Sequence, residues 1–164
     1  MRGVRVEVPD PENVLGSKIA RSVMNLLAVT PARFLSGLDC ILVLDSESLS
    51  RRERLRLRRR PNDFVLGSYF PRNRRRPPRI EIYSDGLMRS RLASHLSLPA
   101  FREVFVARVL FHELGHHVSS MIEPTHASRE AVAERWAKKL ARQALMARFP
   151  TLHPLLGTLM RRGS

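Results

Sequence analysis

Cysteine is almost missing from this chain. Cys40 is the only one in 164 residues, which excludes a disulfide within the chain and any scaffold of cross-linked loops. It opens the apolar run Cys40-Ile41-Leu42-Val43-Leu44, reads as a small buried core residue, and favours a reducing compartment. Lysine is scarce too: Lys18, Lys138 and Lys139 are the only three. Aromatic residues make up 6%, few platforms for stacking single-stranded nucleic acid. No apolar run approaches the roughly 20 residues that span a bilayer. The opening Met1-Arg2-Gly3-Val4-Arg5-Val6-Glu7 is interrupted by charge before a signal-peptide core can form. A soluble, cytoplasmic protein without a membrane span is expected.

Acidic residues are outnumbered, 15 against 29 basic ones, for a net charge of +14. Nearly all the excess is arginine, and much of it falls in Arg51–Arg60 and Arg72–Arg79. Basic loops are therefore expected near 46–62 and 71–79. They suit nucleic-acid phosphates or an acidic partner, although an arginine bias in the coding sequence gives the same composition, and no nucleic-acid module is recognisable. A hydrophobic content of 43% and this length fit one domain with a real core, so a single domain over 1–164 is expected.

Apolar periodicity places a first helix over 11–30, with Val14, Ile19, Val23, Leu26 and Leu27 at three- to four-residue steps and Asp10 and Pro11 as start signals. Strands are expected at 40–45, 64–70 and 79–83, the last two joined as a hairpin. Arg79-Ile80-Glu81-Ile82-Tyr83 alternates polar with apolar, the mark of a strand with one covered face. Ser84-Asp85-Gly86 reads as a turn. A helix follows from Pro99 or Ala100 to about Met121, with Phe105, Val109, His112 and His116 on one inward face. A last helix spans 127–148, burying Val132, Trp136, Leu140 and Leu145. Helix, small sheet, helix, helix is an α+β arrangement.

The penultimate helix carries His112-Glu113-Leu114-Gly115-His116, an HExxH pattern. With 6 His and 10 Glu, a shuffled chain holds about 0.01 copies of it. On a helix the two imidazoles lie on one face, about 6 Å apart in rise, and can grip one metal ion. Glu113 projects beside that ion and can take a proton from water. A catalytic zinc needs a third protein ligand and an open position. Glu123, His126, Glu130 and Glu134 are the candidates downstream. Metzincins require Gly and His where this chain has Ser119 and Ile122, which excludes them. His117 lies about 100° round the helix from His116 and reads as a surface residue or a support for a ligand. His95 and His153 have no partner pattern.

Glu130-Ala131-Val132-Ala133-Glu134-Arg135-Trp136-Ala137 resembles the second signature of gluzincin-type metallopeptidases. It is similar to Glu-x-x-Ala-acidic-x-x-Ala of the CAAX-prenyl-protease and HtpX group, and to Glu-x-x-Ala-Asn-x-Phe-Ala of ImmA/IrrE-type peptidases. The resemblance covers roughly 100–145. Glu134 stands where one group has Asp and the other Asn, and the membrane spans of the HtpX group are missing. The resemblance implies a minimal zincin-like fold, Zn²⁺ as cofactor, and His112, His116 and Glu130 as its ligands. It makes Glu134 a support for a ligand histidine, and lets small Ala133 and Ala137 bring the two helices together.

The expected activity is zinc-dependent hydrolysis of peptide bonds in a peptide or protein substrate, with Glu113 as the base. Nickel, cobalt or iron suit the same ligand types. Tyr69, Tyr83 and His126 are candidate oxyanion donors. The Arg79–Tyr83 strand, by analogy with zincins, offers an edge to an extended peptide. The competing expectation is a basic nucleic-acid-binding or regulatory protein whose metal site is structural or vestigial.

Overall fold

Asn13 starts the first helix, α1 (Val14–Ala28), two to three residues later than Asp10 and Pro11 suggest. Its side-chain carbonyl accepts from the Gly16 N–H at 2.6 Å, satisfying one of the orphan donors of the first turn. Asp10 is occupied with a turn of its own, accepting from the Glu12 N–H. Beyond the last turn, Thr30 donates back to the Leu26 carbonyl at 2.8 Å. The computed structural model describes residues 3–50, 65–89, 96–122 and 129–150.

Within those residues the fold is α+β, with four helices and a small mixed sheet. Strands β1 (Arg5–Glu7), β2 (Cys40–Leu44), β3 (Gly67–Phe70) and β4 (Arg79–Tyr83) lie in the order β1-β2-β4-β3. β1 pairs parallel to β2 and β2 parallel to β4, while β3 closes antiparallel on β4. The expected hairpin is present, in register Gly67↔Ile82 to Phe70↔Arg79. β1 has no counterpart in the sequence reading, because three residues are too few to show periodicity. The remaining helices are α2 (Ser84–Arg89), α3 (Pro99–Ile122) and α4 (Arg129–Arg148). Ser84-Asp85-Gly86 opens α2 instead of forming a turn. Asp85 is fixed there by accepting from the backbone N–H and hydroxyl of Ser46, and Gly86 leaves room for the Val65 carbonyl. The basic segment 51–64 lies outside the described residues, as do His95, Glu123, His126 and His153.

One face of the sheet, Ile41, Val43, Ile80 and Ile82, packs on Ile19, Val23 and Leu26 of α1 and on Val106, Leu110 and Leu114 of α3. Contrary to the alternation reading, β4 is covered on both faces. Glu81 and Tyr83 are buried on the side away from these helices. The burial is tolerated because the groups satisfy one another: Arg79 pairs with Glu81 at 2.8 Å and the Tyr83 hydroxyl donates to Glu81 at 2.7 Å. Arg79 thus belongs to a strand and not to the preceding basic loop.

Helix α3 is the central element. Buried Glu103 accepts from Asn25 of α1 at 3.1 Å and from Arg148 of α4 at 2.6 Å, which ties three helices to one carboxylate. On α4, Val132, Leu140 and Leu145 are buried, and half-buried Trp136 packs against Phe34 with ring centres 5.5 Å apart. Among the described residues no helix is long and apolar enough to cross a membrane.

Candidate metal centre

The fully buried side of α3 is Val106, Ala107, Leu110, Phe111, Leu114 and Val118. His112 and His116 occupy the flank beside it, with side chains 33% and 25% exposed. The expectation that they face inward is corrected. They line the seam between α3 and α4, partly exposed, with the acids of α4 opposite. Their rings meet edge to face with centroids 4.9 Å apart, as residues one turn apart should.

The first turns of α4 bring the acids. His112 Nε2 lies 3.4 Å from one oxygen of Glu130, and His116 Nε2 lies 3.6 Å from the other. Ligand atoms of His112, His116 and Glu130 all fall within 4.8 Å of one another, a group that could hold a metal ion. Glu134, one turn further, sits 3.3 Å from Nδ1 of His112. A carboxylate there favours the tautomer protonated at Nδ1, leaving the Nε2 lone pair aimed at the shared point. Glu134 also meets Lys138 at 3.6 Å.

This convergence depends on a close helix crossing. A Cβ placed on Gly115 would come within 2.3 Å of the Ala133 carbonyl oxygen. The middle of the motif therefore admits only hydrogen at that point. Replacing Gly115 by Ala gains helix propensity of up to about 1 kcal/mol, but it forces backbone apart at the crossing. We expect a net destabilisation of about 2 kcal/mol, or about 4–8 °C in melting temperature for a chain of this size. A variant melting with the parent would show that the helices do not touch there.

No family model, curated protein or solved structure matches this chain. The residues themselves carry the functional reading.

Glu113 is 8% exposed and packs against β3, where a Cβ on Gly67 would lie 3.1 Å from its Cγ. Strand β3 is the sheet edge next to this site. β4 lies inside the sheet between β2 and β3, so the expectation that β4 offers its edge is corrected: among the described residues β3 is the outer strand. Further along β3, the Tyr69 hydroxyl lies 3.2 Å from both His117 Nδ1 and Ser120 Oγ. His117 is not a surface residue: it is 2% exposed, and Nε2 donates to the Ser36 carbonyl at 3.0 Å. Burial holds its pKa below the usual histidine value, and the Ser36 contact opposes that shift only in part. His117 and Tyr69 together clasp the edge strand to α3. Tyr83 is removed from the oxyanion candidates, since it is buried on the far face of the sheet against Glu81. Burial there raises its pKa strongly.

Of the residues named from sequence, the structure brings together His112, His116, Glu130 and Glu134. The Gly115 crossing and the His117–Tyr69 clasp were not read from it. The first had a visible signal, a glycine between the two histidines in the middle of a helix, where it is costly without a packing reason. The second pairs residues 48 positions apart, and no local pattern reports that.

Proposed function

We propose that this protein is a metal-dependent peptidase of minimal zincin-like build, with Zn²⁺ held by His112, His116 and Glu130 and with Glu113 as the general base. One observation carries the reading: two Nε2 atoms and a carboxylate converge across a helix pair while Glu134 lies 3.3 Å from Nδ1 of His112. A tetrahedral zinc with donors at about 2.0–2.1 Å has donor–donor edges of about 3.4 Å. The His112 and His116 nitrogens lie 3.4 and 3.6 Å from the two oxygens of Glu130, close to that edge. One ligand atom from each of the three residues lies within 4.8 Å of the others, a gap that small side-chain adjustments close around an ion. Two neutral imidazoles and one carboxylate leave one net positive charge, the donor set of hydrolytic zinc sites. The element order, helix and sheet before the HExxH helix and an acid-bearing helix after it, is the order the resemblance implies.

When bound, zinc supplies Lewis acidity, polarising a peptide carbonyl and lowering the pKa of water towards about 7. The chain does the rest. Glu113 takes the proton from the attacking water and returns it to the departing amine. Glu134 holds the His112 ring in place. Among the described residues β3 is the outer strand of the sheet on this side, and its main-chain groups would receive an extended peptide running past Glu113.

The test is hydrolysis of a mixed pool of quenched fluorescent peptides by the zinc-loaded protein. Cleavage abolished by a chelator and restored by zinc is expected. Protein that binds zinc tightly yet cleaves nothing in such a pool would overturn the peptidase reading and leave a metal-binding protein. Glu134→Ala is expected to weaken zinc affinity by about 10- to 100-fold, measured by competition with a chromogenic chelator. An unchanged affinity would show that Glu134 does not support His112.

A further inference from the structure

The connection between β3 and β4 is a second built feature, separate from the metal centre. Residues 71–77 are all exposed and follow the last strand pair, Phe70↔Arg79. Asn73 organises them: its side-chain oxygen accepts from the N–H groups of Arg75 and Arg76, both at 2.8 Å, and its own N–H donates to the Arg76 carbonyl at 3.0 Å. Pro78 is pinned to the start of β2 through the Asp39 N–H. The turn thus displays Arg72, Arg74, Arg75 and Arg76 from an ordered backbone. None of the four joins an ion pair among the described residues, and the nearby acid Asp39 is already taken by Arg5 at 2.8 Å.

We propose that this hairpin tip docks on the phosphate backbone of double-stranded nucleic acid. Four guanidinium forks within five residues match a dense line of phosphates, which arginine binds in bidentate fashion. The tip carries no aromatic side chain, and Pro71 and Pro77 are its only apolar residues, a poor match to the large apolar anchors that protein interfaces bury. One face of the adjacent ring, Phe70, is covered by the Arg79 guanidinium at 4.2 Å, and residues 71–77 contain no ring for bases to stack on, which favours a duplex over a single strand. A two-stranded ribbon is one of the shapes a major groove admits, and the net charge of +14 adds long-range attraction. The proposal does not depend on hydrolysis.

Fluorescence anisotropy with a labelled 20-base-pair duplex of arbitrary sequence, titrated with the full chain between about 50 and 200 mM salt, tests it. The fourfold variant Arg72, Arg74, Arg75 and Arg76→Gln should lose at least about tenfold in affinity at low salt, and its salt slope should be shallower by about three to four. A control removes the same charge from exposed helix positions: Arg21, Arg108, Arg135 and Arg142→Gln. It should retain most of the binding. If the fourfold variant melts early, the single changes Arg74→Gln and Arg75→Gln serve instead, each reducing the slope by about one. Equal losses in variant and control, or no binding by the parent, would overturn the assignment. So would a single strand that binds as tightly as the duplex. Competition by polyglutamate as effective as by duplex would reassign the tip to an acidic protein.

Discussion

Glu113→Gln is expected to lower peptide hydrolysis by about 10²- to 10⁴-fold, the usual contribution of a positioned acid–base group, while zinc stays bound. The amide is nearly isosteric with the carboxylate. It preserves packing against Gly67, where Glu113 is held at 8% exposure, so folding and substrate affinity should change little. What it removes is the ability to accept a proton. The loss should fall on kcat, with KM close to the parent value. Loss of zinc in this variant would make Glu113 a ligand or a structural support, and full activity would rule it out as the base.

His116→Ala should act on the metal instead. Structural zinc sites release about 10–16 kcal/mol through four ligands. One ligand of average weight is then about 3 kcal/mol, more than 100-fold in affinity. The melting temperature of the metal-free variant, measured against the metal-free parent, separates any loss of packing at the partly buried His116 from loss of the metal. The clearest readout is thermal. Zinc at about 1,000 times its Kd stabilises the parent by about 4 kcal/mol, on the order of 10 °C in melting temperature. At that zinc concentration a site weakened about 100-fold sits at only about 10 times its Kd, so the variant should gain only about 1.4 kcal/mol, roughly 3–6 °C. Hydrolysis should be lost at the lower zinc concentrations that still load the parent. Equal zinc-induced shifts in parent and variant would place the metal elsewhere.

Much of this was legible before any coordinates. α3 and α4 were expected within about two residues of their ends, since long helices repeat their apolar pattern several times. β4 was expected at its observed bounds because Ile80 and Ile82 alternate with Arg79, Glu81 and Tyr83. The spacing of His112 and His116 needs only helix geometry. Three things were hidden for physical reasons. Alternation cannot reveal that Glu81 and Tyr83 are buried, because their burial rests on pairing with each other and with Arg79. The direction of strand pairing leaves no trace in a single strand, so the parallel β1-β2-β4 order and the outer place of β3 among the described strands were unreadable. The orientation of the histidines is hidden as well, because the stripe through Phe105 and Val109 does pack on the core but does not tell that its continuation at His112 and His116 meets α4 at a partly exposed seam. The deeper side of α3 runs instead through Val106, Leu110 and Leu114, and the seam with α4 leaves the histidines open.

Crystals grown with zinc, measured on both sides of the zinc absorption edge, test the site most directly. The expected result is one anomalous peak per chain, about 2.0–2.2 Å from Nε2 of His112, Nε2 of His116 and a carboxylate oxygen of Glu130. A peak bound by other residues, or zinc-soaked crystals with these three side chains apart and no peak between them, would contradict it.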